Sequence, residues 1–232
     1  MGIKERHERE RDARRRAILD AARELFTTDG YRNVSMRKIA ERIEYSPAAL
    51  YSYFPSKDDI FFALAEDGFE RLAELGRAAP EGPTPLDTLR TQLHQLYQFS
   101  VVNGEHYALM FLDRSVPRIR QFFDRFPHLA EMRSRMADNV AACVAAGQLP
   151  TTAAPTTVLK LLITAVHGAA LTRLANRLSP DEDAGALARD LVELVLAGLR
   201  AGTVVEFRAA PLGACGQDAP ADASNELPEL TQ

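Results

Sequence analysis

The stretch from Ser35 to Lys57 constrains the fold of this chain more than any other part of it. It reads SMRKIAERIEYSPAALYSYFPSK, and its first half carries apolar residues at helical spacing. A break follows at Glu44, and Ser46-Pro47 then provides an N-cap and a proline for the first turn of a second helix. Two short helices joined by a tight turn predict a helix-turn-helix, whose second helix lies in the major groove of DNA.

Charge is distributed unevenly along the chain. The 232 residues carry a formal net charge of −4, which argues against a protein that coats nucleic acid by bulk charge. Residues 1–60 contain 13 Lys and Arg against 11 Asp and Glu, whereas the remainder contains 15 against 21. A modestly basic front on an acidic body predicts that only the N-terminal part meets phosphate.

Several classes of protein are disfavoured by what the chain lacks. Cys143 and Cys215 have no zinc or disulfide spacing. The N-terminus has no apolar signal core, and charged residues interrupt the apolar run Val158–Ala175, so neither export nor a membrane span is expected. The histidines lack the i, i+4 spacing of a helical metal site, and no nucleophile motif is present. We expect a cytoplasmic protein with no metal, no cofactor, no membrane partner and no enzyme activity.

Apolar residues recur at helical spacing through nearly the whole chain, and no convincing strand pattern occurs. The first helix is expected from about Asp12, and Ser56 with Asp59 predicts a capping box at the start of the fourth. The predicted fold is all-α with about nine helices, in a small N-terminal bundle and a larger C-terminal one. The predicted divisions are a flexible charged arm at 1–11, a helix-turn-helix domain at 12–72, a larger helical domain at 73–208 and a disordered tail at 209–232.

The segment Leu50–Lys57 follows the pattern Leu-Tyr-x-Tyr-Phe-x-Ser-Lys. Together with the preceding ELFTTDGYRNVSMRKIAE, it resembles the TetR/AcrR family of transcriptional regulators over roughly Arg11–Gly68. His167-Gly168 is similar to the His-Gly turn in the eighth helix of one subgroup. The chain departs from the family at Glu44, where a glycine or small residue is usual. Glycine is favoured at such a turn because it reaches positive φ without strain. The resemblance implies a ligand-binding and dimerisation domain at 73–208.

The predicted recognition helix combines small residues with tyrosines. Alanine methyl groups allow close approach to thymine methyls, and tyrosine hydroxyls suit phosphate contacts. The lysine at the next helix start matches the phosphate-contacting lysine of the family. Tyr51 or Tyr53 could instead cover the small core, and Ser35 could serve only as a helix N-cap. The predicted DNA-binding residues are Ser35, Arg37, Ser46, Ala48, Ala49, Tyr51, Tyr53 and Lys57.

Aromatic residues and methionines concentrate in the C-terminal half. Apolar lining with a few polar anchors is typical of a small-molecule pocket, although an ordinary bundle core has the same composition. With the family resemblance, this pattern favours a pocket for a largely apolar or aromatic effector. The predicted ligand-binding residues are Tyr97, Asn103, His106, Tyr107, Met110, Phe111, Phe122 and His167.

The last two predicted helices combine Leu and Val stripes with small residues, which suits close helix packing between two subunits. The resemblance implies a homodimer whose recognition helices lie about one DNA turn apart on a palindromic operator. The functional hypothesis is a ligand-responsive repressor whose partners are a double-stranded DNA operator, an apolar small molecule and a second copy of the chain. The alternatives are a helical small-molecule-binding protein or enzyme with a vestigial helix-turn-helix, and a transcriptional activator or ligand-independent architectural protein.

Overall fold

The computed structural model describes residues 3–112, 115–117 and 125–210. Nine α-helices and a short 3₁₀ turn at Tyr31–Asn33 occur within these residues, which confirms the predicted all-α fold. The predicted ligand residue Phe122, and the predicted tail from residue 211 onward, lie outside them. The helices are α1 (Ile3–Asp29), α2 (Met36–Arg42), α3 (Pro47–Tyr51), α4 (Lys57–Ala78), α5 (Pro85–Val102), α6 (Gly104–Phe111), α7 (Pro127–Ala145), α8 (Pro155–Leu174) and α9 (Ala184–Arg200).

The first four helices enclose a small apolar core. Helix α1 packs against α2 and α4, and α2 packs against α3. Each of the four helices contributes side chains that have no exposed surface. Burying a large apolar side chain in this way stabilises the fold by about 1.5–3 kcal/mol. The fully buried members include Ile18, Ala22, Ile39, Leu50, Ile60 and Phe61.

Helix α1 starts earlier than predicted. It begins at Ile3 and not near Asp12, so the expected flexible arm is helical over residues 3–11. Low apolar content predicts disorder, yet arginine and glutamate are good helix formers and pair across one turn. Arg6 lies 3.4 Å from Glu10, and Arg9 Nε donates to the Glu5 carbonyl at 3.2 Å. Residues 4–17 are exposed throughout, so this part of α1 projects beyond the packed bundle.

Serine caps position the helices of the DNA-binding part, as predicted. The hydroxyl of Ser35 accepts from Lys38 N at 3.2 Å, and that of Ser46 accepts from Ala49 N at 3.2 Å. Ser56 accepts from Asp59 N at 3.1 Å and also bonds the Asp59 carboxylate, which confirms the capping box. Each cap satisfies an otherwise unpaired backbone donor and contributes about 1 kcal/mol.

The turn between α2 and α3 uses a glutamate where glycine is favoured. Glu44 has φ of 59°, in the left-handed region. Tyr45 N donates to Ala40 O at 2.9 Å and Glu44 N donates to Glu41 O at 3.2 Å, which is the Schellman pattern of a helix end. Because this pattern satisfies the carbonyls of α2, the fold accommodates a left-handed residue that costs about 1 kcal/mol. Helix α3 therefore starts directly after the turn at Pro47.

Helix α4 joins the two halves of the molecule. It packs against α1 of the small bundle and against α5, α6 and α7 of the larger one. Gly68 permits the close approach of α6, because a Cβ at this position would overlap Met110 Sδ. The predicted domain boundary near residue 72 falls inside α4 and stays a prediction.

Helices α8 and α9 pack against each other and against α5. Helix α8 has a mean hydropathy of 1.3 over an 18-residue window, of which 39% is buried. By length and composition alone it could cross a membrane, so the expectation of no membrane span stays a prediction. Core helices of soluble proteins meet the same criterion. A large part of this apolar helix is thus left uncovered by the residues that the structure describes.

Candidate DNA-binding surface and effector cavity

Helix α3 presents small and aromatic side chains on the outside of the bundle. Leu50 is fully buried and anchors the helix, whereas Ala48 is exposed and Ala49 is half-buried. Tyr51 is 52% exposed, although an aromatic ring of this size is usually covered. A short helix with one anchored face and an open face of small residues has the shape that enters a DNA groove.

The predicted residues of α2 lie at its exposed N-terminal end. Ser35 is exposed and uses its hydroxyl oxygen as the N-cap, which leaves the hydroxyl proton for another acceptor. Arg37 Nε donates to Glu41 Oε1 at 2.8 Å, and this carboxylate raises the pKa of Arg37. Both side chains of that pair are highly exposed, so exchanging the carboxylate for a phosphate would cost little.

A second group forms where α1 meets the end of α3. Tyr53 is half-buried against the core, so the sequence alternative of a core role is partly correct for it. Its hydroxyl lies beside Arg14 and is the main cause that raises the pKa of that guanidinium, with Tyr45 adding to it. Arg15 lies 5.1 Å from the centre of the Phe54 ring. Arginines of α1 therefore stand directly beside the recognition helix.

Lys57 has a structural role that the sequence does not indicate. Its Nζ donates to the carbonyls of Tyr31 at 2.8 Å and Val34 at 2.9 Å, and lies 4.2 Å from the Tyr31 ring centre. Tyr31 also hydrogen-bonds Asp58 through its hydroxyl. Desolvation lowers the pKa of Lys57. One ammonium proton remains for a phosphate, since the other two hold the 3₁₀ turn against the start of α4.

Substituting Lys57 with methionine is expected to destabilise the fold by about 1–3 kcal/mol, because two backbone carbonyls lose a charged donor. Urea unfolding followed by circular dichroism measures the change. Lys38→Met is the matched control, because Lys38 makes an exposed ion pair with Asp29 and should cost less than about 1 kcal/mol. Equal stability of the two variants would contradict the structural role.

The predicted ligand residues do not form one site. Tyr107, Phe111 and His167 come together, with ring centroids 4.8 Å apart for Tyr107 and Phe111 and 4.7 Å for Phe111 and His167. The hydroxyl of the fully buried Tyr107 bonds His167 Nδ1. Burial raises the pKa of Tyr107 and lowers the pKa of His167 to about 4, so the pair consists of a neutral phenol and a neutral imidazole. These side chains pack as core, which is the alternative that composition left open.

Asn103, His106 and Met110 lie elsewhere. His106 is buried on the side of α6 that faces α4, with Nε2 3.7 Å from Asp67 Oδ2. Desolvation, with Arg23 and Arg71 nearby, lowers the pKa of His106 to about 4. Met110 contacts α4 at Gly68, and Asn103 links the end of α5 to the start of α6 through its backbone. Asn103, His106 and Met110 thus connect helices.

A cavity of about 340 Å³ opens between α5, α8 and α9. Of the predicted ligand residues that the structure describes, only Tyr97 lines it. Arg90 spans its rim and bonds Glu193 with two nitrogens, at 2.6 and 2.9 Å. No sequence signal could have identified this site, because Arg90 and Glu193 are 103 residues apart and come together only in the tertiary structure. The other lining residues are Thr91, Leu93, His94, Val166, Ala188, Arg189 and Val192.

Two further observations argue against a second small-molecule site and against a metal site in the described residues. A cavity of about 20 Å³ under α4, α5 and α7, beside Met132 and Met136, is too small for a drug-sized molecule. In the part of the chain that the structure describes, no three His, Cys, Asp or Glu side chains are arranged to hold a metal ion.

An exposed recognition helix on a small bundle, joined through α4 to a larger helical bundle, defines a two-domain DNA-binding regulator. Comparison with known proteins agrees. The profile described as "Bacterial regulatory proteins, tetR family" matches residues 18–64, and that described as "Tetracyclin repressor-like, C-terminal domain" matches residues 89–195.

Curated relatives carry related names. The chain is 30% identical over 192 residues to the HTH-type transcriptional repressor Rv1474c of Mycobacterium tuberculosis, covering 78% of this chain and 91% of that protein. It is 34% identical over 121 residues to the repressor KstR of Rhodococcus jostii, covering 48% and 57%. It is 35% identical over 121 residues to the nucleoid occlusion factor SlmA of Vibrio campbellii, covering 48% and 62%.

Solved structures support the same fold. The fatty acid degradation regulator FadR of Bacillus halodurans superposes with a TM-score of 0.67 at 16% identity, covering 80% of this chain and 96% of that chain. PfmR of Thermus thermophilus superposes with a TM-score of 0.59 at 24% identity, covering 78% of this chain and 98% of that chain. The chain belongs to the TetR family of transcriptional regulators, as its LYSYFPSK segment predicts. That family consists of regulators and not of enzymes.

Proposed function

We propose that this protein is a homodimeric repressor that binds a palindromic operator and leaves it when an apolar small molecule binds. The observation that carries the proposal is the open face of α3, where Ala48 and Tyr51 are exposed beside a buried Leu50. The family of regulators to which the chain belongs, and the repressor names of Rv1474c and KstR, support it.

The proposed DNA contacts follow the geometry of each side chain. Ala48 and Ala49 approach base edges, and the Tyr51 hydroxyl reaches a phosphate. Ser35 and Ser46 bring two helix N-termini towards the backbone, where amide groups favour anions. Further phosphate contacts come from Arg37 after it leaves Glu41, from Tyr53 beside Arg14, and from the remaining proton of Lys57.

The dimer is proposed to form through α8 and α9. Their uncovered faces carry Leu171, which is 49% exposed, and Leu194, which is 68% exposed. Gly168 has open space at its Cβ position and Ala197 is exposed, so a second pair of helices could approach closely. Two subunits joined in this way place two copies of α3 on one face of DNA, since cyclic symmetry pairs equal surfaces.

The cavity between α5, α8 and α9 is the proposed effector site. Its volume of about 340 Å³ falls within the range of small-molecule sites, and leucine, valine and tyrosine side chains line it. This places the effector against Tyr97 and away from the packed Tyr107 cluster. Effector binding lowers operator affinity by the difference in its own affinity for the two conformations.

Contacts between α4 and the start of α7 provide the proposed coupling. Arg125 bonds Asp59 at 2.8 Å and lies 4.1 Å from the Phe62 ring centre. The carboxylate of Glu66 accepts from the His128 backbone N–H at 3.3 Å and also bonds its ring. Movement of α7 therefore pulls on α4, whose first residue holds the 3₁₀ turn beside α2.

The first test is selection of bound genomic fragments, followed by affinity measurements on the recovered site. Ala48→Glu is expected to weaken binding at least 100-fold, because a carboxylate enters the groove near phosphates, a like-charge contact that costs several kcal/mol. Ala78→Glu is the matched control, since Ala78 is an exposed alanine at the far end of α4. Equal affinities for the two folded variants would exclude α3 as the reader.

The alternatives give different results in the same system. A small-molecule-binding protein with a vestigial helix-turn-helix selects no sequence from the genomic pool. An activator keeps or gains operator affinity when the effector is added, whereas the proposed repressor loses it. Small molecules are therefore screened for release of the recovered site.

A further inference from the structure

Basic side chains form one continuous face on the projecting part of α1. At 100° per residue, Lys4, Arg11, Arg14 and Arg15 fall within an arc of about 100°. His7 lies in the same arc, with Nδ1 3.9 Å from Glu10 Oε2. The acidic residues of this segment point outside that arc. We call Lys4, Arg11, Arg14 and Arg15 the basic stripe. A helix with an even mixture of charges is a solvated surface, whereas separation of the signs produces a positive line. The acidic residues are Glu5, Glu8, Glu10 and Asp12.

The basic stripe lies on the same face as the core residues of α1. Ile18 and Ala22, further along this face, are fully buried. Arg14 reaches Tyr53, and Arg15 lies over Phe54, so the stripe starts beside the end of the recognition helix. Residues 3–13 continue the helix for about 16 Å past this point.

We propose that the basic stripe binds the phosphate backbone of duplex DNA flanking the half-site that α3 enters. This inference rests on the proposed operator binding and extends its footprint outward. The stripe joins the recognition surface without a gap, and a helical segment needs no folding before it binds. On the opposite side, Arg6 already pairs with Glu10 at 3.4 Å and Arg9 bonds the Glu5 carbonyl.

The test compares two double variants that lose equal charge. Lys4→Ala with Arg11→Ala removes two cations from the stripe, whereas Arg6→Ala with Arg9→Ala removes two from the opposite face. Alanine preserves the helix in both. Each protein is titrated with the recovered operator trimmed to its half-sites, and with the same operator extended by roughly 8 base pairs at each end.

We expect the unaltered protein to bind the extended duplex on the order of ten-fold more tightly than the trimmed one. The stripe variant should lose this gain, and each lost contact should reduce the slope of log affinity against log salt by about 1. The opposite-face variant should keep the gain. Equal behaviour of the two variants, or no gain from extension, would overturn the inference while leaving operator binding intact.

Two other outcomes are decisive. If the unaltered protein binds neither duplex, the proposed function fails and the inference fails with it. If the stripe variant loses binding to vesicles of anionic lipid but keeps its full affinity for the extended duplex, the stripe serves a membrane surface and the inference is overturned.

Discussion

Replacing Leu171 and Leu194 with glutamate should convert the proposed dimer into monomers and weaken operator binding more than 100-fold. Both leucines lie on uncovered faces of α8 and α9, with 49% and 68% of their surfaces exposed. Burial of a leucine contributes about 1.5–3 kcal/mol, and a two-fold interface contains each residue twice. The double variant therefore loses several such contributions and places four carboxylates close together. Sedimentation equilibrium measures the state of assembly, and fluorescence anisotropy measures operator affinity.

Leu75→Glu provides the matched control for this prediction. Leu75 is 44% exposed near the end of α4, so it tests the effect of a glutamate at an exposed leucine outside α8 and α9. This variant is expected to remain dimeric and to bind the operator normally. If the double variant is still dimeric when it is measured at the same protein concentration as Leu75→Glu, α8 and α9 do not form the interface.

Lowering the pH from 7 to 5 should reduce the free energy of unfolding by about 4 kcal/mol through two histidines. The folded-state pKa of both His106 and His167 is about 4, against an ordinary value of 6.5. Between these values the unfolded chain binds protons that the folded protein does not. Stability is therefore retained above about pH 6.5 and is lost as the pH falls towards 4, with about 2 kcal/mol per histidine at pH 5.

Urea titrations at pH 7, 6 and 5 measure this dependence. His106→Gln and His167→Gln should each remove about half of the difference between pH 7 and pH 5, whatever they do to stability at pH 7. His7→Gln is the control, because His7 is exposed on α1 and should leave the difference unchanged. The Arg125 guanidinium lowers the pKa of the Asp59 carboxyl, so the stability that this carboxylate contributes is lost only at lower pH. The change in stability between pH 7 and pH 5 therefore reports mainly on the histidines. An unchanged difference in both buried variants would refute this assignment.

Operator affinity and acid stability test separate parts of the molecule. The glutamate substitutions act on the uncovered surface of α8 and α9, whereas the histidines lie inside, on α6 and α8. His106 faces α4 and is close to Arg23 of α1, so its neutral state helps α6 to pack against the DNA-binding part. We therefore expect acid unfolding to begin at the junction of the two halves.

Local signals in the sequence predict the DNA-binding part well. The caps at Ser35, Ser46 and Ser56 involve hydrogen bonds within three residues, so residue type and spacing were sufficient to predict them. Apolar spacing likewise predicts which side of α3 is buried at Leu50. The start of α1 was missed because charged residues that pair across one turn can stabilise a helix with little apolar surface.

Contacts between segments that are distant in the sequence could be identified only from the tertiary structure. Lys57 bonds carbonyls 23 and 26 residues earlier, and Arg90 bonds Glu193 across 103 residues. Composition identified the aromatic residues of the C-terminal half, yet packing decided that Tyr107 is core and that Tyr97 lines a cavity. Helix positions follow from hydrogen bonds and periodicity along a few turns, whereas cavities and cross-chain donors depend on how whole helices are arranged. The sequence therefore identifies the family and the proposed DNA-reading helix, and the arrangement of the helices determines the cavity proposed for the effector and the links between the two halves.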